Sequence, residues 1–352
     1  MKKTRIIKSE DFEENLDEIV YVLKAGGLVV FPTETVYGIG ADAMNEEAAV
    51  SIYEAKGRPQ DNPLIVHISN EEQLERVAAK IPRMAKKVMK KFWPGPLTII
   101  FNKKEEVPEK TTGGLQTVAV RMPANDIALK LIEAADTPIA APSANISGKP
   151  SPTKLDHVVL DLFGRVDVII DGGETEYGLE STVLDLTTET PMILRPGYIT
   201  RKELEKVLKC TVQYDPSLKK DESGNTILPK SPGQKYKHYS PEAELKVFVS
   251  KDRDAVLKRM LKEEKKFMGR GYKTAIITVD ENKDKFKSEN VISLGSIENY
   301  EELAHNLFGA LRECDIIKPD IIISEGFESK GVGRALMNRL EKASGQNIEY
   351  LD

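Results

Sequence analysis

Between about Pro216 and Pro241 the chain loses every apolar period and runs instead through Pro, Ser, Gly, Asn and Lys. This interruption constrains the fold more than any other feature, because short apolar runs alternate with helical patterns on both sides of it. A structureless stretch longer than about 12 to 15 residues is uncommon inside one compact domain. The chain of 352 residues is therefore expected to form two bodies, residues 1–215 and 242–352, joined by a linker at 216–241. A prior of about 150 residues per domain gives the same division. The linker holds Gln234, Tyr236, His238 and Tyr239, costly side chains for a passive tether.

Before the interruption, Leu16 to Leu23 has helical spacing and stops at Gly26-Gly27, a helix-ending signal, ahead of an apolar run at Leu28 to Phe31. A second helical pattern spans Ala48 to Ala55. Further short runs rich in branched residues fall at Leu64 to Ile68, Leu97 to Asn102, Val118 to Arg121, Ile139 to Ala141, Val168 to Ile170 and Thr182 to Leu186. The pattern predicts an α/β domain. After the interruption, strand signals at Leu245 to Val249, Thr274 to Val279, Val291 to Leu294 and Ile321 to Ser324 alternate with helices at Asp254 to Lys265 and Tyr300 to Cys314. This second alternation predicts a smaller, Rossmann-like α/β domain.

Composition narrows the partners. The chain carries 51 Lys and Arg against 56 Asp and Glu, and neither half is net basic. A strong grip on RNA needs clustered cations for several phosphates. Only Arg83 to Lys91 approaches that, and Met84, Val88 and Phe92 repeat beneath it as the apolar side of a helix. Strong direct binding of RNA, tRNA included, is therefore not expected. No apolar run approaches the roughly 20 residues that span a bilayer, and Met1-Lys2-Lys3 is followed by no secretory segment, so the expected location is the cytoplasm. Cys210 and Cys314 stand alone; a bridge between them is conceivable, two inert thiols the better expectation.

Two short segments carry candidate chemistry. Lys56-Gly57-Arg58-Pro59 would set two cations along one edge of an extended segment, with Gly57 allowing a ligand to approach the backbone. Ser143 and Asn145, also two apart, would present a hydroxyl and an amide able to orient phosphate or carboxylate oxygens. No Gly-x-x-x-x-Gly-Lys-Ser/Thr loop is present, so any ATP is not held by a P-loop. Gly331-Val332-Gly333-Arg334 is half a dinucleotide fingerprint without its acidic partner, and the four histidines, His67, His157, His238 and His305, form no metal spacing. Trp93-Pro94-Gly95-Pro96 reads as a rigid scaffolding turn with Trp93 packed under it.

Six segments in order, Phe31 to Gly38 (FPTETVYG), Lys56 to Pro59 (KGRP), Phe92 to Thr98 (FWPGPLT), Ala119 to Pro123 (AVRMP), Ala141 to Asn145 (APSAN) and Gly178 to Val183 (GLESTV), resemble the YrdC family. The resemblance runs from about Ser9 to about Leu208. With the extra C-terminal region, the chain looks like the long, two-domain threonylcarbamoyl-AMP synthases. The resemblance implies a twisted open sheet with a concave active-site face. It also implies condensation of L-threonine, bicarbonate or CO2 and ATP, with magnesium arriving on the triphosphate and no metal held by the protein alone. The product would pass to a separate transferase complex that modifies the adenosine beside the anticodon of certain tRNAs.

The same resemblance distributes the residues. Arg121 should clamp the threonine carboxylate, with Thr35, His67, the Ala141 backbone and Ser181 completing the pocket. Arg58, Asn62, Thr117, Ser143, Ser151, Arg195 and Gln234 should meet the nucleotide. Lys56 and Arg58, with Ser143 and Asn145, should carry the catalysis, and Tyr236 should belong to a lid over the nucleotide. The reaction asks for little acid or base chemistry, since a carbamate is already an anionic nucleophile. Catalysis can then come from positioning two anions and offsetting their repulsion. Two other readings stay open: an RNA-binding module using the concave face, and an enzyme drawing on another carbamoyl donor, as YrdC-like domains do beside acylphosphatase and zinc-finger modules.

Overall fold

A computed structural model describes residues 2–218 and 238–351. The chain divides into two compact units. One contains Met1–Ser147, Pro152–Glu176 and Glu180–Tyr236; the other contains Gly148–Ser151, Tyr177–Leu179 and Lys237–Asp352. Two short loops that precede residue 180 thus belong to the second unit, a feature invisible to a linear reading.

The first unit begins with β1 (Arg5–Lys8), α1 (Phe12–Lys24), β2 (Val29–Phe31), β3 (Gly38–Asp42), α2 (Glu46–Lys56) and β4 (Ile65–His67). It continues through α3 (Glu71–Val77), α4 (Arg83–Phe92), β5 (Leu97–Asn102), α5 (Glu109–Thr112), β6 (Thr117–Arg121), α6 (Asp126–Ala135) and β7 (Ile139–Ala140). It closes with α7 (Leu155–Leu162), β8 (Val168–Asp171), β9 (Thr182–Asp185), β10 (Met192–Arg195), α8 (Arg201–Leu208) and β11 (Gln213–Tyr214). These eleven strands make one twisted, mixed sheet in the order β1-β8-β2-β3-β7-β4-β6-β5-β9-β10-β11.

Local chemistry explains several of the boundaries. Asn45 caps α2 by accepting from the Glu47 and Ala48 amides, and Gly57 ends it in the left-handed conformation at φ 61°. A glycine adopts that conformation without the steric cost of a Cβ. Helix α8 starts on a reciprocal capping box between Thr200 and Glu203. Helix α4 buries Ala85, Val88, Met89 and Phe92 and turns its lysines outward. Each large apolar side chain so buried contributes roughly 1.5–3 kcal/mol, which accounts for the basic cluster as the solvated side of a core helix.

The centre of the sheet positions the candidate site. β5 pairs antiparallel with β6, setting Thr98 opposite Arg121. β4 pairs parallel with β6, setting His67 opposite Arg121 on the other side. Thr98, Arg121 and His67 therefore form one row across three strands. All three are buried.

In the second unit, β12 (Glu244–Val249), α9 (Arg253–Met268), β13 (Thr274–Thr278), β14 (Val291–Ser293), α10 (Tyr300–Ile317), β15 (Ile321–Glu325), α11 (Gly333–Ala343) and β16 (Ile348–Tyr350) follow in turn. The sheet is wholly parallel, in the order β14-β13-β15-β12-β16. It is Rossmann-like in its parallel strands and crossover helices, yet β15 lies between β13 and β12, unlike the usual doubly wound order. Gly331-Val332-Gly333 is the approach to α11, whose first residue, Gly333, packs on the Tyr300 ring.

Candidate active site

Arg121 ends β6 with its guanidinium buried, 4% exposed. Its Nη1 donates to Thr35 Oγ1 at 2.8 Å and its Nε to the Gly95 carbonyl at 3.3 Å. Its Nη2 lies 2.6 Å from Glu34 Oε2, although neither carboxylate oxygen of Glu34 has a donor in hydrogen-bonding alignment. Thr35 and Glu34 reach it from the loop between β2 and β3. That loop is tied by Thr33, whose hydroxyl donates to the Val36 carbonyl at 2.6 Å and accepts from the Val36 amide at 3.2 Å. The fork is thus held by a hydroxyl, a carbonyl and a carboxylate before any ligand enters.

The Trp93-Pro94-Gly95-Pro96 turn is the scaffold read from sequence, and it also reaches Arg121. Trp93 packs on the core and donates to the Leu97 carbonyl at 2.7 Å. The Gly95 amide donates to the Met122 carbonyl at 2.8 Å, fixing the turn beside the end of β6. Its carbonyl is then aimed at Arg121. A Cβ at position 95 would lie 2.5 Å from the Phe92 carbonyl oxygen, so no larger residue fits there without moving backbone.

His67 is 3% exposed and places Nδ1 3.2 Å from the Ile65 carbonyl. Burial, with the charge of Arg121, holds its pKa down to about 3. It is therefore neutral near pH 7, a polar lining group and not a second cation. Ser181 and Thr98 share a hydrogen bond at 2.7 Å. Arg195, at the end of β10, donates from Nε to the Ser181 carbonyl at 3.0 Å and from Nη2 to its hydroxyl at 3.1 Å. This buried chain joins Arg195 to the Thr98–Arg121–His67 row.

Lys56 departs from the expected geometry. It is the last residue of a helix, and Gly57 is that helix's left-handed cap, so Lys56 and Arg58 flank a helix end and not one edge of an extended segment. The glycine and proline of the motif stop the helix, which an edge-strand reading overlooks. Lys56 is 1% exposed, and its ammonium donates to the Ser143 carbonyl and, at 2.6 Å, to the Asn145 carbonyl. Ser143 Oγ in turn donates to Asn145 Oδ1 at 2.5 Å. Lys56, Ser143 and Asn145 are thereby brought together as expected. Arg58, half-buried, donates to the carbonyls of Asn62 and Pro63 at 3.3 and 3.0 Å.

The remaining expectations fall in definite places. Thr117 opens β6, four residues before Arg121, and pairs with Asn102. The Ala141 amide is committed to the Ile65 carbonyl at 2.8 Å, leaving its carbonyl as the group it can offer. Ser151 is buried and belongs to the second unit. Gln234 and Tyr236 lie outside the described residues. Sequence reasoning passed over Glu34, Thr98 and the Gly95 carbonyl. All three lie inside the quoted motifs, but no spacing in the sequence ties Glu34 to Arg121 in a separate motif.

Comparison with known proteins agrees across both units. Residues 21–197 match the family of Sua5, YciO and YrdC, described as "Telomere recombination". Residues 199–345 match "Threonylcarbamoyl-AMP synthase, C-terminal domain". The chain is 51% identical to threonylcarbamoyl-AMP synthase of Pyrococcus abyssi, over 93% of each chain. It is 45% identical to the enzyme of that name from Bacillus subtilis, over 93% of this chain and 92% of that one. The crystal structure of P. abyssi Sua5 complexed with L-threonine superposes with a TM-score of 0.92 at 47% identity, covering 99% of both chains. Identity of this extent over both units shows that the chain belongs to the Sua5/YrdC family, in its two-domain threonylcarbamoyl-AMP synthase form.

Proposed function

We propose that the chain condenses L-threonine, bicarbonate or CO2 and ATP into L-threonylcarbamoyl-AMP and pyrophosphate. The product then passes to a transferase complex that modifies the adenosine beside the anticodon of certain tRNAs. The observation that carries this reading is the buried Arg121 fork, paired with Glu34 and set among the polar groups Thr35, Thr98, His67 and Ser181. An arginine of this kind matches a carboxylate bidentately, as a lysine cannot. A relative of nearly half-identical sequence has been solved with L-threonine.

The chemistry follows from these groups. Arg121 clamps the amino-acid carboxylate, and Thr35, Ser181 and the neutral His67 line the space around it. The ammonium first loses a proton; the free amine then adds to CO2, releasing a second proton to solvent, and gives a carbamate, one of whose oxygens attacks the α-phosphorus of ATP. The bond to the pyrophosphate oxygen breaks as the new one forms. Lys56 and Arg58 offset the repulsion between carbamate and triphosphate, and Ser143, Asn145, Asn62, Thr117, Ser151 and Arg195 hold the nucleotide. Magnesium would arrive on the triphosphate and be liganded chiefly by the phosphates. Gln234 and Tyr236 complete this reading as nucleotide contact and lid.

Incubating the full chain with threonine, bicarbonate and ATP tests the proposal. The acyl-adenylate should appear by mass spectrometry with one pyrophosphate released, and omission of any reactant should abolish it. Pyrophosphate release that ignores threonine, or that depends on carbamoyl phosphate, would sink the reading.

A further inference from the structure

Glu34 has no part in the scheme above, yet it is the most costly side chain in this corner of the molecule. Its carboxylate is 1% exposed, lies 2.6 Å from Arg121 Nη2, and neither oxygen receives an aligned hydrogen bond. The ion pair with Arg121 offsets part of the cost of burying this carboxylate, but its oxygens still lack aligned donors. Such a group has the capacity to accept a further donor beside Arg121. Its neighbour narrows the choice of donor. Arg121 gives one Nη1 hydrogen to Thr35 and its Nε hydrogen to Gly95, while Nη2 has no aligned acceptor and is open to an incoming carboxylate.

Before a ligand enters, Glu34 thus already faces the guanidinium that the proposed function gives to the substrate carboxylate. When a second carboxylate arrives, two anions face one guanidinium, and they repel unless a cation comes between them. A free α-amino acid brings that cation, since its ammonium is separated from its carboxylate by a single carbon. Building on the proposed use of threonine, we infer that Glu34 receives the substrate's α-ammonium. Arg121 and Glu34 together then recognise a zwitterion, and the pair selects α-amino acids over carboxylic acids that lack the amine.

A simple supporting role for Glu34, keeping Arg121 aligned, makes a different forecast, and calorimetry separates the two. L-threonine and 3-hydroxybutanoate, which is threonine without its amine, are titrated into the full chain and into Glu34→Gln. An ammonium–carboxylate hydrogen bond is worth about 1.5–3 kcal/mol, or roughly a tenfold to hundredfold change in affinity. Glu34→Gln should weaken threonine by that factor while 3-hydroxybutanoate binds as well as before or better. Equal weakening of both ligands, or unchanged threonine binding, overturns the inference. Should the variant fail to fold, the wild-type chain still decides: a preference for threonine over 3-hydroxybutanoate of less than about tenfold also overturns it. Adenylate synthesis is read separately. Threonine binding of the expected kind without adenylate formation would defeat the proposed function and leave Glu34 in its role. Adenylate formation with equal weakening of the two ligands would do the reverse.

Discussion

The two basic corners of the first unit are held by different kinds of partner. Arg121 is gripped by side chains, a threonine hydroxyl and a glutamate, with one backbone carbonyl added. Lys56 is gripped by the carbonyls of Ser143 and Asn145, and Arg58 by those of Asn62 and Pro63. A carbonyl belongs to the fold and survives every substitution of its own residue. The hydroxyl and carboxylate on Arg121 can be edited one at a time, whereas the carbonyls on Lys56 and Arg58 move only if a loop moves. The arginine corner is thus open to tuning of ligand choice. The lysine corner is suited to a fixed electrostatic task.

The largest effect expected from this contrast is at the fixed corner. Arg58→Ala should lower adenylate formation about a hundredfold or more, the usual cost of removing a preorganised charge in the transition state. Lys56→Ala should do the same, but it also strips donors from two carbonyls, at about 1–3 kcal/mol each. Its stability will therefore fall, and Arg58→Ala is the cleaner test. Near-normal turnover in folded Arg58→Ala would break the comparison.

At the tunable corner, Arg121→Lys keeps the charge and loses the planar fork. Threonine affinity should drop roughly tenfold to hundredfold, as for a lost charge-assisted pair, while ATP affinity measured alone barely changes. Equal losses for both ligands would transfer Arg121 to the phosphates.

His67 sharpens the contrast through pH. Its folded-state pKa, near 3, is below the unfolded value near 6.5, so between those values the unfolded chain binds the extra proton. Stability from this group is complete above about pH 6.5 and falls as the pH drops toward 3, by about 1.4 kcal/mol per unit. His67→Gln should flatten the part of the denaturant-derived stability curve between about pH 6.5 and 5. An unchanged slope there would mean that His67 titrates normally. The smallest effect belongs to Thr35→Val, which removes one neutral hydroxyl from Arg121 and should cost threonine about 1 kcal/mol, a fewfold change by calorimetry. A loss as large as that of Arg121→Lys would show that the grip cannot be edited piecewise.

What the sequence disclosed follows the strength of its apolar signal. Leu97 to Asn102 is a near-continuous apolar run and becomes β5 with the same limits. β3 escaped because Gly-Ile-Gly-Ala-Asp offers few side chains to form a pattern, though its backbone pairs with both β2 and β7. α11 escaped because its glycine-rich approach drew attention to a fingerprint, and because Asn338 and Arg339 interrupt its buried face. Within the site, the motifs carried Arg121, Thr35, Lys56 and Ser143 to their neighbourhoods. Sequence spacing could not show that Lys56 would be swallowed by carbonyls, since that depends on where a segment 87 residues away crosses the helix end. Nor could it show which loops group with the second unit.

Gly95 links two kinds of damage that are usually told apart. Its amide fixes the turn, its carbonyl steadies Arg121 at 3.3 Å, and its missing side chain makes room for the Phe92 carbonyl. A methyl group placed there would push on backbone, and the displacement would reach the guanidinium through one hydrogen bond. A lesion at this position would first appear as poor discrimination among small carboxylates, in a chain that still folds, although residue 95 need touch none of them. Screens that look only for pocket-lining positions would overlook it.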